Sequence, residues 1–199
     1  MGTMISRGGV ALALVAGLLV TASSATAAPL AQSKFTDNVE GWKVIGDSAT
    51  DPEKPDHIAT GGNPGGFAQV TDQAIGGVMF WRAPAKFRGN LIDAYQGTLL
   101  FSLTQSATDT QFDDTDIVLE GGGLRLTAQT EPNPPLFPAW GEFGVSLSRP
   151  GWLDETNAEA ATAKDMRKVL RDLNELLIRA EYRTGDDTDG LDSVKLKKP

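Results

Sequence analysis

Four aspartates near the end of the chain could bind a hard cation. They are Asp186, Asp187, Asp189 and Asp192, and glycines stand among them. Carboxylate oxygens are ligands that Ca²⁺ prefers. Asp187, Asp189 and Gly190 match a fragment of an EF-hand loop, although its terminal glutamate is missing. The segment therefore predicts either a partial calcium loop or a solvated acidic turn before the last strand.

Aromatic rings offer a second kind of chemistry, because their exposed faces can stack on the sugar rings of a glycan. Trp140 follows a proline-rich loop and precedes a glycine, which makes it the first ligand-binding candidate; Tyr95 is the second. Trp42 and Trp81 lie in apolar, strand-like segments, which favours the core. The glycine-rich residues 61–66 indicate a tight turn with positive φ.

Several classes of chemistry are excluded by composition. The chain has no cysteine and one histidine, His57, which rules out thiol nucleophiles, thiolate metal sites, disulfides and sites that need two imidazoles. His57 is predicted in a loop, and the sequence contains no Gly-x-Ser-x-Gly nucleophile elbow. We therefore predict that the protein is not an enzyme. A net charge of -8 and a pI near 4.6 argue against nucleic acid and anionic lipid as partners.

The first 27 residues have the pattern of a secretory signal peptide. Arg7 precedes an apolar run over residues 10–20, and small residues follow, ending in Ala-Thr-Ala. The run is too short to cross a bilayer of about 30 Å as a helix. We expect cleavage after Ala27, the alternative being an uncleaved anchor. The protein is then secreted or periplasmic, without membrane contact, and residues 28–34 form a flexible N-terminal segment.

The rest of the chain predicts an all-β fold. Short alternating stretches recur between turn residues, which is typical of strands in a two-sheet β-sandwich of the jelly-roll kind. One amphipathic helix is predicted over residues 162–177 from apolar residues at spacings of three and four. The predicted strands cover residues 67–71, 78–81, 98–104, 116–119, 124–127, 143–147, 178–182 and 191–196.

Several segments together resemble the laminin IV domain, also called laminin B. They comprise residues 35–42, 61–67, 80–84, 116–121, 166–170, 177–182 and 191–194. The resemblance extends over roughly residues 35–196, and we assign residues 35–197 to one laminin IV-like domain. It implies a sandwich similar to carbohydrate-binding modules and galactose-binding-like domains, with no catalysis and no agreed ligand residues to transfer.

The resemblance also suggests a metal position. Related carbohydrate-module sandwiches hold a structural Ca²⁺ between the N-terminal segment and an aspartate of the last strand, so Asp192 is predicted to meet Asp37 or Glu40 there. No cofactor is otherwise required. We predict a monomeric binding module for extracellular or cell-envelope carbohydrate or glycoprotein. The alternative is a structural or adhesive module that binds protein and has no sugar site.

Overall fold

The computed structural model describes residues 1–2, 28–72, 76–148 and 150–199. The predicted signal peptide and its cleavage point lie outside this part of the chain, apart from residues 1–2. Within the described ranges, no helix has both the length and the hydropathy that a membrane crossing requires.

The described residues form thirteen β-strands, two short 3₁₀ turns and one α-helix. The strands are β1 Ala31–Gln32, β2 Lys43–Gly46, β3 Asp56–Gly62, β4 Gly65–Thr71, β5 Met79–Arg82, β6 Thr98–Gln105, β7 Ile117–Gly121, β8 Leu124–Ala128, β9 Gly141–Ser146, β10 Trp152–Asp154, β11 Glu159–Ala160, β12 Leu173–Arg179 and β13 Thr188–Lys197; the helix is α1 Ala163–Arg171.

Two antiparallel sheets face each other. Sheet A has the order β3-β4-β13-β6-β9, and β1 pairs with the end of β13; sheet B has the order β11-β10-β8-β7-β12-β5-β2. Alternation along each strand sends one set of side chains into the core, as with Leu99, Phe101 and Leu103 of β6. Trp42 and Trp81 are fully buried in that core, as predicted. The predicted two-sheet β-sandwich with one helix is confirmed.

The helix is shorter than its apolar spacing predicts. It begins with a capping box between Thr162 and Asp165 and ends at Arg171. The next residues of the apolar stripe, Leu173, Leu176 and Leu177, belong to β12, which lies between β7 and β5 in sheet B. A central strand is buried on both faces and so carries consecutive apolar residues, which the spacing rule mistook for a helical stripe. The predicted helix over residues 162–177 is therefore wrong beyond Arg171.

The N-terminal end of the domain is hydrogen-bonded to sheet A. Ala31 and Gln32 pair with Leu196 and Lys195, and the backbone N–H of Ser33 donates to Val194. This strand contrasts with the flexible segment expected over residues 28–34 from its polar composition. At two residues it is too short for a hydrophobic period to mark it.

Candidate functional site

A groove of about 270 Å³ crosses the outer face of sheet A. It lies over β6, β9 and β13, where Ser102 stands opposite Glu142 on one side and Asp192 on the other. These three residues alternate with the inward-facing apolar residues of their strands, so polar groups line the floor. The principal polar and turn residues around it are Asn63, Pro64, Ser102, Glu142, Ser193 and Lys195.

Asn63 reaches over this groove from the turn between β3 and β4. Its Nδ2 donates to Ser102 Oγ at 3.3 Å and to Glu142 Oε1 at 3.1 Å. Ser193 Oγ donates to the Asn63 carbonyl at 2.6 Å. A side chain at Gly62 would place its Cβ 2.6 Å from the Gly66 carbonyl oxygen, so this tight turn requires glycine. The turn predicted at residues 61–66 therefore positions an amide above the sheet.

Asp192 supports the groove from below. Its side chain is fully buried, and its two oxygens accept the backbone N–H groups of Asn63 and Ser193. Burial raises the pKa of Asp192 to about 6, although both hydrogen bonds oppose the rise. Glu40 adds slightly to the rise, which places Glu40 within electrostatic reach of Asp192.

Glu40 already has a cation beside it. Its carboxylate forms an ion pair with Lys86 and accepts the backbone N–H groups of Lys34 and Phe35, both at 2.7 Å. Burial works against ionisation, but these contacts hold the pKa of Glu40 below its usual value. Asp37 lies on the same segment and is exposed. Of the predicted calcium ligands, Asp192 and Glu40 thus each have partners of their own, and Asp37 is exposed.

An aromatic ledge formed by Phe67, Phe137 and Trp140 lies beside the groove. Trp140 meets Phe67 edge-on with ring centroids 5.2 Å apart, and its Nε1 donates to the Gly61 carbonyl at 2.9 Å. Phe137 packs 6.2 Å from Phe67 and remains 45% exposed. Gly190 leaves room for the indole, since a Cβ there would lie 3.0 Å from Trp140 Cη2.

The proline-rich loop before Trp140 is held firmly on sheet A. The Gln105 carbonyl accepts the Phe137 N–H at 2.8 Å, and the Gln105 N–H donates to Pro135 at 3.1 Å. Thr104 Oγ1 donates to the Ala139 carbonyl at 2.8 Å. The loop therefore presents its exposed side chains from a fixed backbone, and Trp140 is half-buried within it.

The structure separates the two aromatic residues predicted to bind ligand. Tyr95 lies next to the start of β6, where Arg167 of α1 stacks 4.6 Å over its ring. Trp140 packs near Thr104, six residues further along the strand, which corresponds to about 20 Å. The two residues cannot contribute to one small binding site.

Sequence reasoning missed the groove residues Asn63 and Glu142 and the exposed Phe137. Phe137 stands between two prolines of the loop that Trp140 ends, which is the signal that could have found it. His57 was also misplaced. It lies in β3, where its Nε2 is 2.7 Å from the Phe35 carbonyl oxygen, because the long loop predicted around it is partly strand.

Comparison with known proteins gives a consistent result. The family model described as Laminin B (Domain IV) matches residues 80–198. The human and horse laminin subunit gamma-2 are each 29% identical over 160 residues, which is 77% of this chain and 13% of those proteins. A basement membrane proteoglycan of Caenorhabditis elegans is 26% identical over 112 residues, which is 56% of this chain and 3% of that protein.

A solved structure has the same fold. The L4b domain of human laminin alpha-2 superimposes with a TM-score of 0.66 over 88% of this chain and all of that domain, at 12% sequence identity. The chain thus corresponds to one domain of far longer curated relatives. Its sequence match and its sandwich architecture together establish that it belongs to the laminin B (domain IV) family.

Proposed function

We propose that the protein is a secreted, non-catalytic module that binds a carbohydrate chain on the outer face of sheet A. The observation that carries this proposal is the juxtaposition of the aromatic ledge and the polar groove. Phe137 offers an exposed ring on a fixed loop, and Asn63, Glu142 and Lys195 offer amide, carboxylate and ammonium groups beside it. Glycan sites combine these elements, since rings stack on sugar faces while polar groups bind hydroxyls.

The test is binding of the purified protein to a panel of glycans and polysaccharides. Phe137→Ala should weaken binding at least tenfold, because it removes a stacking surface and leaves no buried polar group unpaired. Leu153→Ala is the matched control, since Leu153 of β10 is 44% exposed on sheet B, close to the exposure of Phe137. Equal affinity of both variants for the bound glycan would refute the assignment of this face.

A protein partner is the second candidate. Leu136 and Phe137 are adjacent apolar side chains with exposures of 50% and 45%, and neighbouring exposed apolar groups favour a protein surface. The relatives named laminin and basement membrane proteoglycan support an adhesive role in the extracellular space. Absence of binding across the glycan panel would favour protein binding as the function of the aromatic ledge. Binding of matrix proteins to the unmodified protein and to Phe137→Ala would then be compared.

The predicted calcium at Asp192, Asp37 and Glu40 remains a separate expectation. The proposed binding face does not need it, because backbone N–H groups already stabilise the Asp192 carboxylate and Lys86 pairs with Glu40. The N-terminal pattern predicts export, and an exported module would meet matrix or envelope polymers. The protein is also expected to be a monomer.

A further inference from the structure

Four buried acidic residues gather at the end of the sandwich away from α1. Asp72, Glu181, Asp187 and Asp189 are each at most 5% exposed. The backbone brings them together, since the Asp72 N–H donates to the Asp187 carbonyl at 2.8 Å and Asp189 stands opposite Val70 of β4 and Gln105 of β6. Asp189 therefore points between the two sheets, where an apolar residue would be usual.

The oxygen atoms in this acidic end are unevenly supplied with donors. Asp187 Oδ1 accepts the Ser106 N–H, the Ser106 hydroxyl and the Thr188 N–H. As ionised groups, Asp187 and Asp189 receive no hydrogen bond at Asp187 Oδ2 or at either oxygen of Asp189 from any residue that the structure describes, and the two carboxyl groups lie within hydrogen-bonding reach of each other. Gln105 Oε1 also lacks a donor among the described residues, and all four atoms are buried. Gln105 Nε2 is used, since it donates to the Pro134 carbonyl. Four orphaned acceptors thus come from three adjacent side chains.

The arginines around this end are engaged elsewhere. Arg179 pairs with Asp116, and Arg183 pairs with Asp109 at 3.1 Å and donates to the Asp186 carbonyl. Burial first, and then Asp187, Glu181 and Asp72, raise the pKa of Asp189 well above its usual value. A buried carboxylate without a donor is costly, so Asp189 needs a positive partner from outside the chain or a bound proton.

A cavity of about 370 Å³ borders the acidic end. Three carboxylates, those of Asp72, Glu181 and Asp186, are in its wall, together with Thr184 and Gly185. Carboxylates at a cavity concentrate cations and repel anions.

We propose that Asp187, Asp189 and the amide oxygen of Gln105 form a calcium site that closes this end of the sandwich. Carboxylate and amide oxygens are the hard ligands that Ca²⁺ takes. The described residues contain no cluster of three or more Asp, Glu or His side chains that could hold a metal. Two carboxylates and one amide therefore predict the modest affinity of extracellular modules, with a Kd of about 10⁻⁴ to 10⁻³ M. The inference does not depend on the proposed glycan site.

The experiment is thermal unfolding of the purified protein in 10 mM CaCl₂ and in EDTA at pH 7.5, together with calorimetric titration of Ca²⁺ alone. We expect the Tm to rise by about 4–8 °C in calcium. Asp189→Asn should abolish both the rise and the heat of binding. Asp113→Asn is the charge-matched control, since Asp113 is exposed in a loop, and it should respond like the unmodified protein.

Measurements on the unmodified protein test the calcium proposal even if Asp189→Asn fails to fold. No heat of binding and no shift in Tm up to 10 mM calcium would overturn the proposal and leave a shared proton as the partner of these carboxylates. A calcium-dependent rise that persists in full in a folded Asp189→Asn protein would also overturn it, because the ion would then bind elsewhere. Loss of glycan binding by Phe137→Ala would bear on neither outcome.

Discussion

Two groups of buried carboxylates in this sandwich have opposite surroundings. Asp116 lies beside Arg179, with Oδ1 and Nη1 3.4 Å apart, and its Oδ2 accepts the N–H and hydroxyl of Thr130. In the acidic end, by contrast, both oxygens of Asp189 lack donors among the described residues. Burial raises the pKa of Tyr182, and Asp116 and Asp189 both add to the rise, so the two groups lie within electrostatic reach of it.

The difference shows how one fold can use buried charge in two ways. Arg179 donates to the carbonyls of Glu181 and Phe112, and its guanidinium lies 4.5 Å from the Phe112 ring and 4.4 Å from the Tyr182 ring. That group is complete within the chain and fixes the approach of β12 to the loop before β7. In the acidic end Asp189 has no donor among the described residues, so we expect the stability of this end to depend on pH and on added cations.

Arg179→Met should give the largest effect. It leaves the Asp116 carboxylate buried without its cation, and breaking a buried pair in this way costs about 3–5 kcal/mol. Urea unfolding measures the loss. Arg125→Met is the control, because Arg125 pairs with the half-exposed Glu120 and Glu155 and should cost about 1 kcal/mol or less. Similar losses of unfolding free energy in Arg179→Met and Arg125→Met would mean that the buried Arg179–Asp116 pair contributes no more than an exposed ion pair.

The next largest expected effect is the contribution of Glu181 to the pH dependence of the free energy of unfolding. Burial first, and then Asp72, raise the pKa of Glu181 to about 7, whereas its unfolded value is about 4.3. The folded state binds the proton more tightly, so this contribution to stability is complete below about pH 4 and is lost as pH rises through 7. In EDTA, the protein should lose on the order of 3 kcal/mol relative to Glu181→Gln between pH 4 and pH 8.

The measurement is urea unfolding of both proteins across that range, with the difference plotted against pH. Carboxylates with ordinary pKa values cancel in the difference. Two parallel curves would mean that Glu181 is ionised in the folded protein at neutral pH, and the acidic end would then be better solvated than its burial implies.

Much of the fold follows from the sequence, for physical reasons that particular strands illustrate. From Phe101 onward β6 alternates apolar residues, Phe101 and Leu103, with the polar residues Ser102 and Thr104, and alternation of this kind marks a half-buried strand. β1 and β11 have two residues each and exist only through their partners, so no local pattern marks them. β12 was misassigned because burial on both faces removes the alternation.

The candidate sites were less predictable because they depend on contacts between distant residues. The aspartates of residues 186–192 were visible as a cluster, but only the β13 register shows that Asp189 faces inward and Asp192 faces the groove. Asn63 and Glu142 stand 79 positions apart and meet only in the folded sheet. Trp140 could be selected from the sequence because its signal, a proline-rich loop before it and a glycine after it, lies in neighbouring residues.

The same Asp→Asn substitution should have opposite signs in the two groups. Asp116→Asn leaves Arg179 without its carboxylate and should lose about 1–3 kcal/mol. Asp189→Asn in EDTA removes an unpaired buried acid and should gain about 1 kcal/mol at pH 7.5. Both changes remove one charge from the unfolded chain, so urea unfolding compares them directly. A loss of stability at Asp189 would show that its carboxylate has a favourable partner without calcium.

Phe112→Leu should give the smallest effect and is the most selective test. It removes one aromatic face from Arg179 while the ion pair with Asp116 and the backbone hydrogen bond to residue 112 remain, so the loss should be about 0.5–1 kcal/mol. Phe112 also borders the cavity beside the acidic end. Calcium titration of the variant therefore tests whether the Arg179–Asp116 group and the acidic end are energetically coupled. The calcium carboxylates are untouched, so the calcium-dependent rise in Tm should be unchanged. A smaller rise would mean that the packing around Arg179 also shapes the ion site, and the two groups would then have to be treated as one.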